Sequence, residues 1–287
     1  DLFEPGSTIK TIAMTTALSS GRYQVNSTVN TSPGYWYVNN RRIADEGANN
    51  GVISLTRILQ ISSNVGVSKV ILSLPPALFL TMLHKLGFAQ LTGSGFPGET
   101  AGYIAKDAAY IPFVLATVSF GYGISVNLLQ LAHAYATLAN NGIKLPLSFL
   151  KVAQPPEGVQ VVKPQVAHDI LMMLESVLEK GGTAVKGRVP NYHVTGKTGT
   201  ARILGPHGYE KDHHNAIFVG IAPATRPRLV VAVMLHDPKK NSYFGGFVSA
   251  PIFAKIMGEA LRILDIPPDD LQNPRLATST AFSSKKP

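Results

Sequence analysis

The sequence predicts an α+β fold, an antiparallel sheet covered by helices, on three observations. Apolar stripes of helical period fill the middle of the chain. After Pro190 the period shortens to that of strands. Two of those strands are joined by Pro223-Ala-Thr-Arg-Pro227, a turn-forming link that favours an antiparallel pair. The composition agrees: 45% of the 287 residues are hydrophobic and 15% charged, against a usual charged share of about 25%, which fits a chain with a sizeable core and excludes a disordered one.

The first helix is expected over residues 7–20, with Pro5-Gly6 before it and Gly21 after it. A loop rich in Asn, Gly and aromatics (Tyr35, Trp36, Tyr37) is read up to about Asn50. Ser54 then caps a helical run that breaks near Ser62-Ser63-Asn64, resumes to Leu74 and stops at Pro75-Pro76. Leu128, Leu131, Ala132, Tyr135 and Leu138 keep the spacing of a core-facing helix closed by Asn140-Asn141-Gly142. Val166, Ile170, Met173, Leu174, Val177 and Leu178 repeat it up to Gly181-Gly182. Strands are expected over residues 193–200, 216–222 and 229–235, a closing helix over 251–263, and a flexible polar tail over 272–287 after a single domain spanning 1–271.

Residues 108–143 carry no formal charge, enough on paper for a membrane span of about 20 residues. The turn chemistry of Ser119-Phe-Gly-Tyr-Gly123 inside it, with Pro112 upstream, marks a buried segment instead, because freed backbone groups would stay unpaired in lipid. The chain opens at Asp1-Leu2-Phe3 without a signal peptide, and is read as soluble and as a piece of something longer. The absence of cysteine excludes a disulfide framework, a thiol nucleophile and a Cys-ligated zinc. A formal charge of +9 suits polyanions, anionic surfaces or acidic substrates without choosing among them.

Three short motifs could carry chemistry. Ser7-Thr8-Ile9-Lys10 places a hydroxyl and an ammonium one helical turn apart, so Lys10 can serve as the base that a serine nucleophile needs once burial lowers its pKa. Ser148–Lys151 and Ser283–Lys286 match the spacing but lack the helix. Ser62-Ser63-Asn64 offers a hydroxyl and an amide in a break between helices; Ser125-Val126-Asn127 has the same pattern. Lys197-Thr198-Gly199-Thr200 imitates a phosphate loop, but that loop requires glycine at 191, where this chain has Asn191, and a helix where strands follow. It reads better as a strand edge lining a cleft, with Gly199 admitting a ligand to the backbone. Each motif alone is an ordinary surface or cap pattern.

Together and in this order they are the signature of penicillin-recognising serine enzymes. The segments Phe3-Glu-Pro-Gly-Ser-Thr-Ile-Lys10, Gln60-Ile-Ser-Ser-Asn-Val-Gly-Val-Ser-Lys69 and Ser119-Phe-Gly-Tyr-Gly123 resemble the class B penicillin-binding proteins, of the division-specific penicillin-binding protein 3 type of Gram-negative bacteria. So do Gln130-Leu-Ala132, Gly196-Lys-Thr-Gly-Thr-Ala201 and Tyr243-Phe-Gly-Gly246 with Ala250-Pro251. The similarity runs from residue 1 to about 270. It implies a peptidoglycan D,D-transpeptidase of septal cell-wall synthesis, inhibited covalently by β-lactams, with Ser7 as nucleophile and Lys10 as its base. It further implies that Ser62 and Asn64 position the proton path and the substrate amide, that Lys197 sets the local potential, and that Thr198 and Thr200, with Gly199 between them in the substrate-binding strand, hold the substrate carboxylate. Arg202 matches a position where some relatives also contact that carboxylate. Tyr243 to Gly246, Gly245 among them, would flank the cleft, and the N–H groups of Ser7 and Thr200 would form the oxyanion hole.

The implied partners are stem peptides with a D-Ala-D-Ala donor and an amine acceptor, β-lactams, and a division glycosyltransferase with other divisome membrane proteins. The implied location is the periplasmic face of the inner membrane. Relatives carry a cytoplasmic tail, a membrane helix, a pedestal domain and some strands of the sheet before this region. A D,D-carboxypeptidase, a β-lactamase, a β-lactam-sensing receptor domain and an inactive scaffold are the rivals. No carboxylate for activating a deacylating water is recognised, Glu99 being the one acid in a plausible loop. No cofactor or metal is expected: His207, Asp212, His213, His214, His236 and Asp237 lack a metal-binding helix spacing. Arg41-Arg42 beside the aromatics reads as a solvated rim, not a nucleic-acid contact.

Overall fold

The computed structural model describes residues 1–270 apart from Ala48, Pro155, His207, Lys240 and Asn241; the expected tail over 272–287 lies outside them. At the centre is α1 (Lys10–Ser19), with every residue from Lys10 to Leu18 buried. A helix buried on all sides belongs inside a core, and its threonines satisfy themselves, Thr15 and Thr16 donating to the Thr11 and Ile12 carbonyls at 2.8 and 2.9 Å. Around it pack α2 (Leu55–Ile61), α3 (Asn64–Leu72), α4 (Pro76–Lys85) and α7 (Pro164–Glu175), with α5 (Pro112–Ser119) on α3 and α6 (Leu128–Ala139) beside α7.

The sheet has three antiparallel strands in the order β11-β10-β9: β9 is Thr195–Gly205, β10 is Gly208–Ala222 and β11 is Leu229–His236. Strand β10 is buried from His214 to Ala222, as expected of a strand covered on both faces. Phe218 meets Phe253 of α8 (Gly245–Ile263) edge-on at 4.8 Å on one face. On the other face Thr195 donates to the Leu171 carbonyl of α7 at 2.7 Å. Side chains of β9 alternate between those faces, so Lys197 points to the helical side while Thr198 and Thr200 point toward the start of α8.

Several boundaries differ from the sequence reading. The region read as a loop up to Asn50 holds β1 (Thr28–Asn30), paired with β4 (Val52–Ser54), and a hairpin of β2 (Tyr35–Val38) and β3 (Arg41–Ala44). Asn39 and Asn40 turn that hairpin with φ of 46° and 59°, the left-handed pair a two-residue turn demands. Arg41 lies over Phe113 of α5 and Arg42 over Tyr35 within the hairpin, so these arginines pack on the protein's own aromatics. Pro76 and Pro112, read as breakers, each occupy the first helical position, where the missing N–H costs nothing. Strands β9 and β10 extend toward each other well beyond the expected 193–200 and 216–222, with an irregularity between Tyr209 and His214. The last helix starts at Gly245, leaving Pro251 inside it. Short pairs complete the fold: β5 (Tyr103–Ile104) with β6 (Ile124–Ser125), and β7 (Ile143–Lys144) with β8 (Val159–Gln160). No single helix among the described residues is long and apolar enough to cross a membrane.

Candidate active site

Ser7 sits in the tight turn Gly6–Ile9 that leads into α1. The turn is pressed between two glycines. A Cβ on Gly121 would collide with the Gly6 carbonyl, and one on Gly199 would lie 2.7 Å from the Pro5 carbonyl. Gly6 itself has φ +53° and lies against the Thr200 backbone, which brings Ser7 beside the strand edge. Glu4 staples the arrangement from behind: its buried carboxylate accepts from the Gly123 N–H at 2.8 Å and from the Tyr209 hydroxyl at 3.0 Å, and burial raises its pKa.

The break between α2 and α3 is built for the second motif. Ser62 closes α2 in the left-handed conformation, φ 61° and ψ 44°, a costly position for a residue with a Cβ. Ser63 caps α3 by accepting from the Gly66 N–H at 2.8 Å and donates to the Asp45 carboxylate at 2.7 Å. Asp45 also accepts from the Val65 N–H at 2.9 Å, and Asn64 donates to the Ala44 carbonyl at 3.0 Å, so the end of the β2–β3 hairpin holds the turn in place. The sequence offered no signal for Asp45, which lay in a segment without pattern.

Two fully buried lysines converge on this turn. Lys10 donates to the Ser62 carbonyl at 2.5 Å, to the Ser62 hydroxyl at 3.0 Å and to the Asn64 side-chain oxygen at 2.7 Å. Lys197 donates to the same Ser62 hydroxyl at 3.0 Å. Burial pushes the Lys10 ammonium down to about 7, with Asp45 and Glu46 pulling the other way. Burial and then the charge of Lys10 push Lys197 well down. The expected direct contact of Lys10 with Ser7 is replaced by the bonds to Ser62 and Asn64; hydrogen bonds of this kind often tighten only once a substrate is bound.

Above the lysines opens a cavity of about 560 Å³ lined by Ser7, Ser62, Asn64, Thr198, Thr200 and Gly245, all anticipated from sequence. Thr198 is held by Thr183, hydroxyl to hydroxyl at 2.8 Å, and Thr200 accepts from the Gly245 N–H at 3.2 Å. Gly245 has no room for a side chain, since a Cβ would strike the Ile217 carbonyl. Phe120, Tyr122, Phe244 and Phe247 supply aromatic walls, with Lys186 over the Phe247 ring at 4.6 Å.

Arg202 and Tyr243 stand outside the lining. Arg202 is exposed and its N–H meets the Tyr122 hydroxyl at 3.3 Å, while Tyr243 stacks on His214 at 4.1 Å. Glu99 is remote from the cavity, bonded to Thr92, Ser94 and Asn127. The acid on the cavity wall is Glu46, which the sequence reading did not single out. The competing motif copies resolve into structure: Asn127 forms a capping box with Gln130 on α6, and Ser148 bonds its own loop at Leu150. His213 pairs with Asp237 at 2.8 Å, and no cluster of metal-binding side chains occurs among the described residues; His207 lies outside them.

A serine on a helix-start turn, two buried lysines on one bridging hydroxyl, and a threonine-lined strand edge form a single constellation, and comparison with known proteins finds relatives of the same architecture. Residues 1–258 match the family described as penicillin binding protein transpeptidase domain. The chain is 44% identical to the probable peptidoglycan D,D-transpeptidase PbpC of Pseudomonas aeruginosa, over 95% of this chain and 48% of that one. It is 41% identical to the peptidoglycan D,D-transpeptidase FtsI of Escherichia coli, over 94% and 46%. It thus spans about half the length of the curated relatives it matches. The apo structure of the TP domain from Burkholderia pseudomallei penicillin-binding protein 3 superposes with a TM-score of 0.89 at 38% identity, covering 94% of this chain and 82% of that one. With sequence, motif order and architecture in agreement, the chain belongs to the penicillin-binding protein transpeptidase domain family.

Proposed function

We propose that this domain is a serine D,D-transpeptidase that cross-links peptidoglycan stem peptides through an acyl-enzyme on Ser7. The observation that carries the reading is the Ser62 hydroxyl, 3.0 Å from both Lys10 and Lys197 beneath a cavity that opens on Ser7. Neutral Lys10 takes the proton of the Ser7 hydroxyl as its oxygen attacks the carbonyl carbon between the two terminal D-alanines. The N–H groups of Ser7 and Thr200 receive the developing oxyanion. Ser62 then carries the proton toward the departing amine, breaking the C–N bond and leaving an ester. Thr198 and Thr200 hold the donor's terminal carboxylate, and the aromatic walls exclude water from the ester. An acceptor amine finally displaces Ser7 and closes the cross-link. Curated relatives bear the name peptidoglycan D,D-transpeptidase, which supports the same reading. The domain spanning 1–271 would work at the periplasmic face of the inner membrane beside a division glycosyltransferase and other divisome membrane proteins.

The test is incubation with a penicillin, followed by intact mass and peptide mapping. One equivalent of adduct is expected on the peptide containing Ser7, persisting far longer than it takes to form, and absent in Ser7→Ala. An adduct on Ser62 would overturn the site, and rapid steady turnover of penicillin would point to a hydrolase using Glu46. The pH profile gives a second check. A lysine depressed to about 7 is protonated below that value and cannot accept a proton, so the acylation rate should climb as pH rises through about 7 and then level. A rate that is flat across this range would remove Lys10 as the base.

A further inference from the structure

Among the residues lining the cavity over Ser7, Glu46 is the only acid. It follows Asp45 at the end of β3, but their situations differ. The Asp45 carboxylate is occupied by Ser63 and the Val65 N–H. Glu46 is exposed and has no ion-pair partner among the described residues. It lines the cavity together with Ile61 and Asn64 of the α2–α3 break, with Thr198 and Thr200 of β9, and with Lys186 of the Val185–Gly187 turn. The lining therefore carries one cation, Lys186, and one anion, Glu46.

The two substrates of an acyl transfer differ in the same sense. The donor ends in a carboxylate, which suits the hydroxyls of Thr198 and Thr200. The acceptor is an amine and is cationic near neutral pH, so a chain of formal charge +9 would repel it unless an acid at the cleft offsets that field. We propose that Glu46 is a specificity-determining residue for the acyl acceptor, docking the ammonium group of the incoming amine and favouring acceptors of net positive charge. The proposal rests on the acyl-transfer reading above. The docked ammonium releases one proton to solvent at this exposed edge. The neutral nitrogen then attacks the ester carbon, forming a C–N bond as the C–O bond to Ser7 breaks, and its second proton passes through Lys10 to the Ser7 oxygen.

The experiment loads Ser7 from a thioester donor and compares three acceptors: glycinamide, singly positive; D-alanine, a zwitterion; and hydroxylamine, neutral. Each rate is divided by the hydroxylamine rate of the same variant, which removes any general effect on acylation or folding. Glu46→Gln is expected to lower the glycinamide ratio about three- to fivefold at low salt, the scale of one exposed charge pair. Glu46→Lys should lower it further and raise the D-alanine ratio, and about 0.5 M salt should narrow every difference. Ratios unchanged in both variants would overturn the proposal. So would a loss confined to acceptor-free hydrolysis of the ester, which would make Glu46 a base for water. Failure of the underlying reading is separate and visible first: wild-type protein would form no ester on Ser7.

Discussion

Lys10→Met is expected to slow acylation by a penicillin by about 10²–10⁴-fold, the range that general-base assistance contributes. The substitution removes three hydrogen bonds, to the Ser62 carbonyl and hydroxyl and to Asn64, and with them the group proposed to accept the Ser7 proton. The fold should survive. Methionine fills the space of the lysine stem, and losing a cation from a fully buried site removes a desolvation cost. The residual reaction should also lose the rise with pH through about 7 that Lys10 confers. Stopped-flow acylation of both proteins, with melting curves alongside, decides the matter. A fall of less than about tenfold with an unchanged melt would assign the base elsewhere.

Gly121→Ala should be nearly as damaging, although residue 121 carries no chemistry. A methyl group there collides with the Gly6 carbonyl, and Gly6 precedes the nucleophile. The residue has φ +93°, so the new side chain also strains its own backbone. The three nearest atoms all belong to the Gly6 backbone and cannot swing aside, so the turn carrying Ser7 must shift, and about 1 Å of misplacement at a reacting atom costs about 10²-fold. Gly123→Ala supplies the control. Its φ of +74° imposes comparable backbone strain, but its Cβ would find only the Ala105 and Val118 side chains at 3.5 and 3.6 Å. Acylation should fall about 10²-fold in the first variant and only a few-fold in the second. Equal losses would show that strain, not the collision with Gly6, sets the effect.

What could be read from sequence follows from how local each signal is. Ser54 and Asn127 announce helix starts because a cap bonds within three residues, and both bonds are present. The apolar stripe of α6 and the shift of period after Pro190 are equally local, and both mark real elements. The motif residues were legible as a set through their order. Asp45 and Glu46 were not, because a carboxylate in an irregular segment gains meaning only once the hairpin before it docks on α3. The hairpin itself was missed because its turn is Asn39-Asn40 without glycine, and α4 because Pro75-Pro76 reads as a stop until the second proline takes the first helical position. Gly245 is the reverse case: Pro251 looked like a helix start, yet the helix begins where a residue without a side chain can lie on the Ile217 carbonyl.

The Ser62 hydroxyl joins parts of the chain that are far apart in order of synthesis, Lys10 lying 52 residues before it and Lys197 135 residues after. Closing loops of that size precedes any reward from the contacts they bring, so such contacts belong to the slow, late part of folding. A chain with its helices formed but β9 undocked has neither the strand backbone on which Gly6 rests nor the second lysine near the bridging hydroxyl. On the reading proposed above, capture of a penicillin should therefore count finished molecules only, as a clock for the completion of folding.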